Sequence, residues 1–193
     1  MAKVRVVLAR VRERCEAGPE IGALGAIEGR TEFIFNTGSP EESGLRERIY
    51  NDPSAKSLEK LQVDVSTLDS LCANSNRLDF VKIDTEGGEV DILRGGEETL
   101  RSLRPVLSVE YGAAGYEVYG HERATLFRLA EEFEYGLFDL FGNALATPGD
   151  WHECADNFYW DFFMAPRERG AEFSGLLRGQ LDRVESSLMR PGI

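Results

Sequence analysis

Asp79-Phe80-Val81-Lys82-Ile83-Asp84-Thr85-Glu86-Gly87-Gly88-Glu89-Val90-Asp91-Ile92-Leu93-Arg94-Gly95, followed by Arg104-Pro105-Val106-Leu107-Ser108-Val109-Glu110-Tyr111, is the stretch that decides the fold. Leu78 to Asp84 is short, apolar and β-branched, and a Thr85–Gly88 turn closes it, so it predicts a strand. From Glu89 to Arg104 the apolar residues Val90, Ile92, Leu93, Leu100 and Leu103 recur at helical spacing. Gly95-Gly96 weakens that helix by about 1 kcal/mol per glycine relative to alanine, which predicts a kink there. Pro105 then starts a second strand, Val106 to Tyr111. A strand–helix–strand unit of about 33 residues predicts parallel strands joined by a right-handed crossover.

Working outward, Thr31 to Phe35 and Leu61 to Val65 read as strands, separated by a long loop over 36–57. Ser66-Thr67-Leu68-Asp69 resembles a capping box opening a short helix, with Asp in place of Glu. Upstream, Val4, Leu8, Val11 and Cys15 predict a helix ending near Ala17. Downstream, a Gly/Tyr-rich loop leads to a helix over 122–132, a strand over 135–140 and a turn at 141–144 with a short hairpin arm. Phe158 to Met164 is an aromatic last strand, with Phe158, Trp160 and Phe162 on its core face and Asp161 on the other. Phe173, Leu176, Leu177, Leu181 and Val184 predict a C-terminal helical tail over 166–193. The order of elements is α/β, with one domain over 1–193.

At 193 residues, with 42% apolar and 29% charged, the chain is of globular class and large enough for one core. A net charge of −12 repels phosphate backbones and anionic headgroups, so neither nucleic acid nor a membrane surface is an expected partner. No apolar run reaches membrane-spanning length, and the first residues carry no apolar signal core. Three cysteines without a C-x-x-C pair and two histidines point to a reducing, cytoplasmic setting and offer no metal motif.

The segment Lys82-Ile83-Asp84-Thr85-Glu86-Gly87-Gly88-Glu89 with Arg104-Pro105-Val106-Leu107-Ser108-Val109-Glu110 resembles the FkbM-type S-adenosylmethionine-dependent methyltransferases. The marks of that family are K-I-D-x-E-G-x-E, a helix, and R-P-x-L-x-x-E. Thr67-Leu68-Asp69-Ser70-Leu71 and Ala23 to Phe33 resemble two further family stretches, and the likeness is strongest over 61–111. It implies a Rossmann-like class I sheet, mostly parallel with an antiparallel C-terminal strand. It also implies S-adenosylmethionine as cofactor and a small-molecule hydroxyl, of a sugar or secondary metabolite, as acceptor. The family's D-x-G-x-x-x-G loop and its first strand are not found, so the domain is expected to lack its N-terminal strand or strands.

Asp84 and Glu110 end two parallel strands, where ligands of open α/β sheets sit. They are the expected catalytic residues together with Glu86. The resemblance places Gly25, Ala26 and Asp84 at the cofactor; Tyr111, in a tyrosine-rich loop, and His121, whose imidazole titrates near neutral pH, are the expected acceptor-side residues, and no metal ligand is expected. Plainer roles stand beside these. Asp84 can cap the next helix, Lys82 can pair with an acid, Glu86 and Glu89 suit a helix dipole, His121 can be an ordinary loop residue, and Tyr111, Tyr116 and Tyr119 can simply cover the sheet. Two rival functions follow: a binding module that forms homo-oligomers through an exposed sheet edge, and a Mg²⁺-assisted hydrolase using Asp84, Glu86 and Glu110.

Overall fold

The computed structural model describes residues 22–38, 43–46, 57–155 and 159–188. The helix expected over Val4 to Cys15 lies outside these residues, as does most of the 36–57 loop. The fold is mixed α/β. The strands are β1 (Ala23–Leu24), β2 (Gly29–Asn36), β3 (Leu58–Ser66), β4 (Phe80–Ile83), β5 (Val106–Glu110), β6 (Tyr135–Phe138) and β7 (Asp161–Pro166). The helices are α1 (Leu68–Cys72), α2 (Glu89–Arg94), α3 (Glu97–Leu103), α4 (Ala113–Val118), α5 (Thr125–Glu132), α6 (Pro148–Ala155) and α7 (Gly170–Leu188). Among the described residues no helix is long and apolar enough to cross a membrane.

One sheet was expected and two form. The four-stranded sheet has the order β4-β5-β7-β6. β4 and β5 are parallel, as the strand–helix–strand pattern predicts, and β7 is antiparallel to both β5 and β6. The second sheet, β1-β3-β2, is built on an antiparallel β2–β3 ribbon. The reason lies in β3, Leu58-Glu59-Lys60-Leu61-Gln62-Val63-Asp64-Val65-Ser66, which has no fully buried residue. A strand of a parallel sheet covered on both faces is nearly continuously apolar; β3 is too charged for that place and pairs as a ribbon with one wet face.

Both faces of the larger sheet are packed. Val81, Ile83, Leu107, Val109, Phe162 and Met164 belong to the main core, shared with Leu93, Leu100, Leu126 and Trp151 of the helices. Phe80, Val106, Phe138, Phe163 and Ala165 point the other way and meet Phe173 of α7. Leu176 of the predicted tail stripe is 62% exposed, so it adds nothing to this contact. Leu181 and Val184 lie where side chains are not described.

Several local corrections follow from hydrogen bonding and packing. The long helix over 89–104 is broken into α2 and α3 rather than kinked. Thr67, not Ser66, caps α1, by accepting from the Ser70 amide at 3.1 Å. Asp69 therefore does not complete a capping box; it accepts from the Glu98 and Thr99 amides at 3.1 and 2.7 Å and caps α3 from outside. The short hairpin arm after the 141–144 turn forms, as a Phe138–Ala144 bridge with the Leu145 amide donating to the Leu137 carbonyl, and the helix α6, which the sequence reading lacked, follows it, opened by Thr147 and Asp150, each accepting from the other's amide at 3.1 and 2.8 Å. Trp160 precedes β7 and is 72% exposed, whereas Phe162 is fully buried against Trp151. Within the Gly/Tyr-rich loop stands a further short helix, α4.

Arg104 of the R-P-x-L segment serves the fold. It ends α3 in the left-handed region at φ 52°. Its guanidinium grips Glu168 through two bonds of 3.0 and 2.8 Å, donates to the Phe133 and Glu134 carbonyls, and lies over the Tyr135 ring. This fork joins α3, the start of β6 and the turn after β7.

Gly95 offers a test in which two effects oppose. Its backbone is helical at φ −72°, so alanine there would gain about 1 kcal/mol in propensity. A Cβ would, however, stand 2.1 Å from the Gly25 carbonyl oxygen, a backbone atom that cannot swing aside. The clash outweighs the propensity: Gly95→Ala is expected to lose about 1–3 kcal/mol in urea unfolding, and a stabilised variant would contradict the packing described.

Candidate functional site

Strand register assembles the site. Glu110 opposes Asp161 across β5–β7, and Lys82 opposes Ser108 across β4–β5, so these side chains share one face of the sheet. Asp84 follows β4 on the same face. Lys82 Nζ stands 2.9 Å from Asp84 Oδ2 and 3.3 Å from Asp161 Oδ1. The ammonium thus ties two carboxylates at the strand ends, and its pKa is raised, chiefly by the bond to Asp84. Lys82 takes the pairing role.

Glu110 sits against this pair. Burial pushes its carboxyl up to about 8, helped by the charges of Glu86 and Asp84 and by a hydrogen bond to the Asp84 side chain. A carboxyl buried beside other negative charges keeps its proton at neutral pH, and Glu110 does so here. Glu110 Oε2 is buried and makes no hydrogen bond among the described residues.

The turn above is held from inside. Glu89 is 1% exposed, and its Oε1 accepts from the Thr85 amide at 2.8 Å, the Thr85 hydroxyl at 3.0 Å and the Gly87 amide at 3.2 Å. A helix dipole contributes about 0.3–1 kcal/mol to a first-turn acid. That is too little to offset the several kcal/mol of desolvating a carboxyl, so the three hydrogen bonds explain its burial better than the dipole does. Glu86 takes the left-handed region at φ 59° and Gly87 follows at φ 112°. At Gly87 any Cβ would meet the Gly115 carbonyl oxygen at 2.6 Å, so α4 rests directly on this turn. Arg46 fastens α4 from outside: it donates to the Val118 carbonyl at 3.1 Å and lies 4.8 Å from the Tyr119 ring centre.

The expected site residues divide. Asp84, Glu86 and Glu110 are brought together, each close enough for its charge to act on the Glu110 carboxyl. Tyr111 is 1% exposed in an aromatic knot with Tyr116 and Trp151, and its hydroxyl, unbonded within the chain, is the polar atom it offers. His121 is tucked between Tyr116 and Tyr119, with Nε2 3.5 Å from Asp91 Oδ1; burial lowers its pKa. Gly25 and Ala26 stand at the far end of α2, against Gly95, away from the carboxyl cluster. Among the described residues no three of His, Cys, Asp and Glu are grouped to hold a metal ion, so the Mg²⁺ alternative finds no ligand set there.

Sequence reasoning missed two residues. Glu89 passed for an ordinary first-turn acid. Trp160, assigned to the core, is exposed, its carbonyl accepting from the Tyr111 amide at 2.6 Å. Its place just before Asp161, at the head of the strand that meets Glu110, was the available signal.

An α/β sheet with carboxyls gathered at the ends of parallel strands defines a ligand-binding or catalytic α/β protein. The family model described as the methyltransferase FkbM domain matches residues 10–137, and the chain belongs to that family. Compared with curated proteins and with solved structures, it finds no match.

The Glu110 carboxyl makes stability depend on pH. Its folded pKa of about 8 lies above the ordinary 4.5, so between these values the folded chain keeps a proton that the unfolded chain has released. Stability is therefore expected to fall as pH rises from about 5 to about 8, and burial acts on Glu89 in the same direction. Glu110→Gln is expected to reduce that slope and to gain on the order of 2 kcal/mol at pH 8. Thermal melts across the range, with an unchanged slope in the variant, would refute it.

Proposed function

We propose that the protein is an S-adenosylmethionine-dependent O-methyltransferase acting on a hydroxyl of a small molecule, a sugar or secondary metabolite. The observation that carries this is the Asp84–Glu110 carboxyl pair at the ends of two parallel strands, in a chain of the FkbM methyltransferase family. The site suits the cofactor in charge: Asp84 and Glu86 put negative charge beside the protonated Glu110, and Glu110 Oε2 and the Tyr111 hydroxyl are buried polar atoms without a hydrogen bond among the described residues. S-adenosylmethionine, when bound, supplies an electrophilic methyl on a positively charged sulfonium.

The chain's own work is alignment and proton removal. Alignment is the larger contribution to such a transfer. As the acceptor oxygen takes the methyl, its proton passes to the carboxyl pair; a base with a pKa near the working pH serves best. Lys82 holds Asp84 in place for this. The acidic corner disfavours phosphorylated acceptors, and the cysteine pattern fits a cytoplasmic setting.

Calorimetric titration with S-adenosylhomocysteine tests the proposal directly, and micromolar binding is the expected result. Asp84→Ala should abolish methyl transfer while leaving the circular dichroism spectrum unchanged; retained activity would sink the assignment. Activity should climb with pH through about 8, as Glu110 releases its proton.

One observation favours a second function, a binding module that forms homo-oligomers. Among the described residues β4 pairs only with β5, so its outer edge presents unpaired backbone groups beside the site. A folded chain that binds no S-adenosylhomocysteine but elutes as a dimer in light scattering would favour this function.

A further inference from the structure

The turn between β4 and α2 carries Glu86 in a backbone region that only glycine enters freely. Such a conformation persists when its surroundings over-determine it. Two features do so here. Gly115 of α4 closes the turn from above, where its own Cβ would stand 3.1 Å from the Glu86 carbonyl oxygen. From below, a single oxygen of Glu89 receives both amides that bracket Glu86, those of Thr85 and Gly87, together with the Thr85 hydroxyl. Asp139, the other buried carboxylate among the described residues, shows the contrast: it closes its own loop through Phe141 and Asn143, away from the strand-end cluster.

We propose that Glu89 is a positioning residue: its buried carboxyl clamps the Thr85–Gly87 turn so that Glu86 stands beside Asp84 and Glu110. This rests on taking that cluster as the methyl-transfer site. Glu89 itself touches no reacting atom. Its contribution is to replace the freedom of a strained, glycine-rich turn with one arrangement before any ligand arrives.

Two variants and two readouts test this. Glu89→Ala removes the acceptor, while Glu89→Gln keeps an acceptor oxygen and the volume but not the charge. Amide hydrogen exchange at Thr85 and Gly87 is expected to accelerate by about tenfold or more in Glu89→Ala and to return towards the wild-type rate in Glu89→Gln. The Val106 amide, bonded to the Asp79 carbonyl within the sheet, should keep its rate throughout. Calorimetry with S-adenosylhomocysteine should show about tenfold weaker binding to Glu89→Ala, with recovery in Glu89→Gln. Unchanged exchange at Thr85 and Gly87, or equal acceleration of Val106, would overturn the clamp. Faster exchange with undiminished binding would leave Glu89 structural and overturn its positioning role. If the wild-type chain binds no S-adenosylhomocysteine, the methyltransferase assignment fails and the positioning role with it; if only the variants bind as the wild type does, the positioning role alone fails.

Discussion

Five carboxyls, those of Asp84, Glu86, Glu89, Glu110 and Asp161, crowd one corner of this molecule, and the structure around them is arranged to tolerate that crowding. Parallel pairing of β4 with β5 delivers Asp84 and Glu110 to the same edge, and the antiparallel return of β7 adds Asp161. Unscreened, such charges repel by several kcal/mol per pair at short range. Four of them receive separate answers. Lys82 neutralises between Asp84 and Asp161, Glu110 keeps its proton, and Glu89 is wrapped by donors. None of these answers is available to a chain that misplaces a strand by one residue, because the alternation of faces would send Lys82 and Glu110 to opposite sides.

The part of the fold that the sequence displays is the part governed by short-range periodicity. β4, β5 and their crossover were legible because Val, Ile and Leu recur there at strand and helix spacing without competing signals. What remained hidden depends on contacts between distant residues. The Gly95-Gly96 pair signals weakness, but only the approach of the Gly25 carbonyl and the Leu68 side chain turns weakness into a break. Asp69 shows a capping residue whose helix lies 29 positions ahead, beyond any local pattern. α6 was open to detection: after the short hairpin arm, Thr147, Pro148 and Asp150 form an ordinary helix start. α4, six residues containing a glycine, has too little propensity to announce itself and exists through its docking on Gly87.

For the site, residue types and their order marked Asp84, Glu86 and Glu110, but not their division of labour. Burial depth separates Glu89, which holds, from Glu86, which is held, and depth is a property of the folded chain. The family's R-P-x-L segment likewise mixes purposes: Glu110 at its end belongs to the site, while Arg104 at its start braces the far side of the sheet.

The two tryptophans occupy opposite worlds. Trp151 is fully enclosed, its indole N–H given to the Arg123 carbonyl, whereas Trp160, just before β7, is 72% exposed. The chain therefore carries a built-in optical pair: a sheltered emitter reporting on the core and a wet one reporting on the surface at the head of β7. Their colours differ with polarity, and a soluble quencher reaches one before the other. Changes at that surface and unfolding of the core can thus be followed separately in a single unlabelled sample.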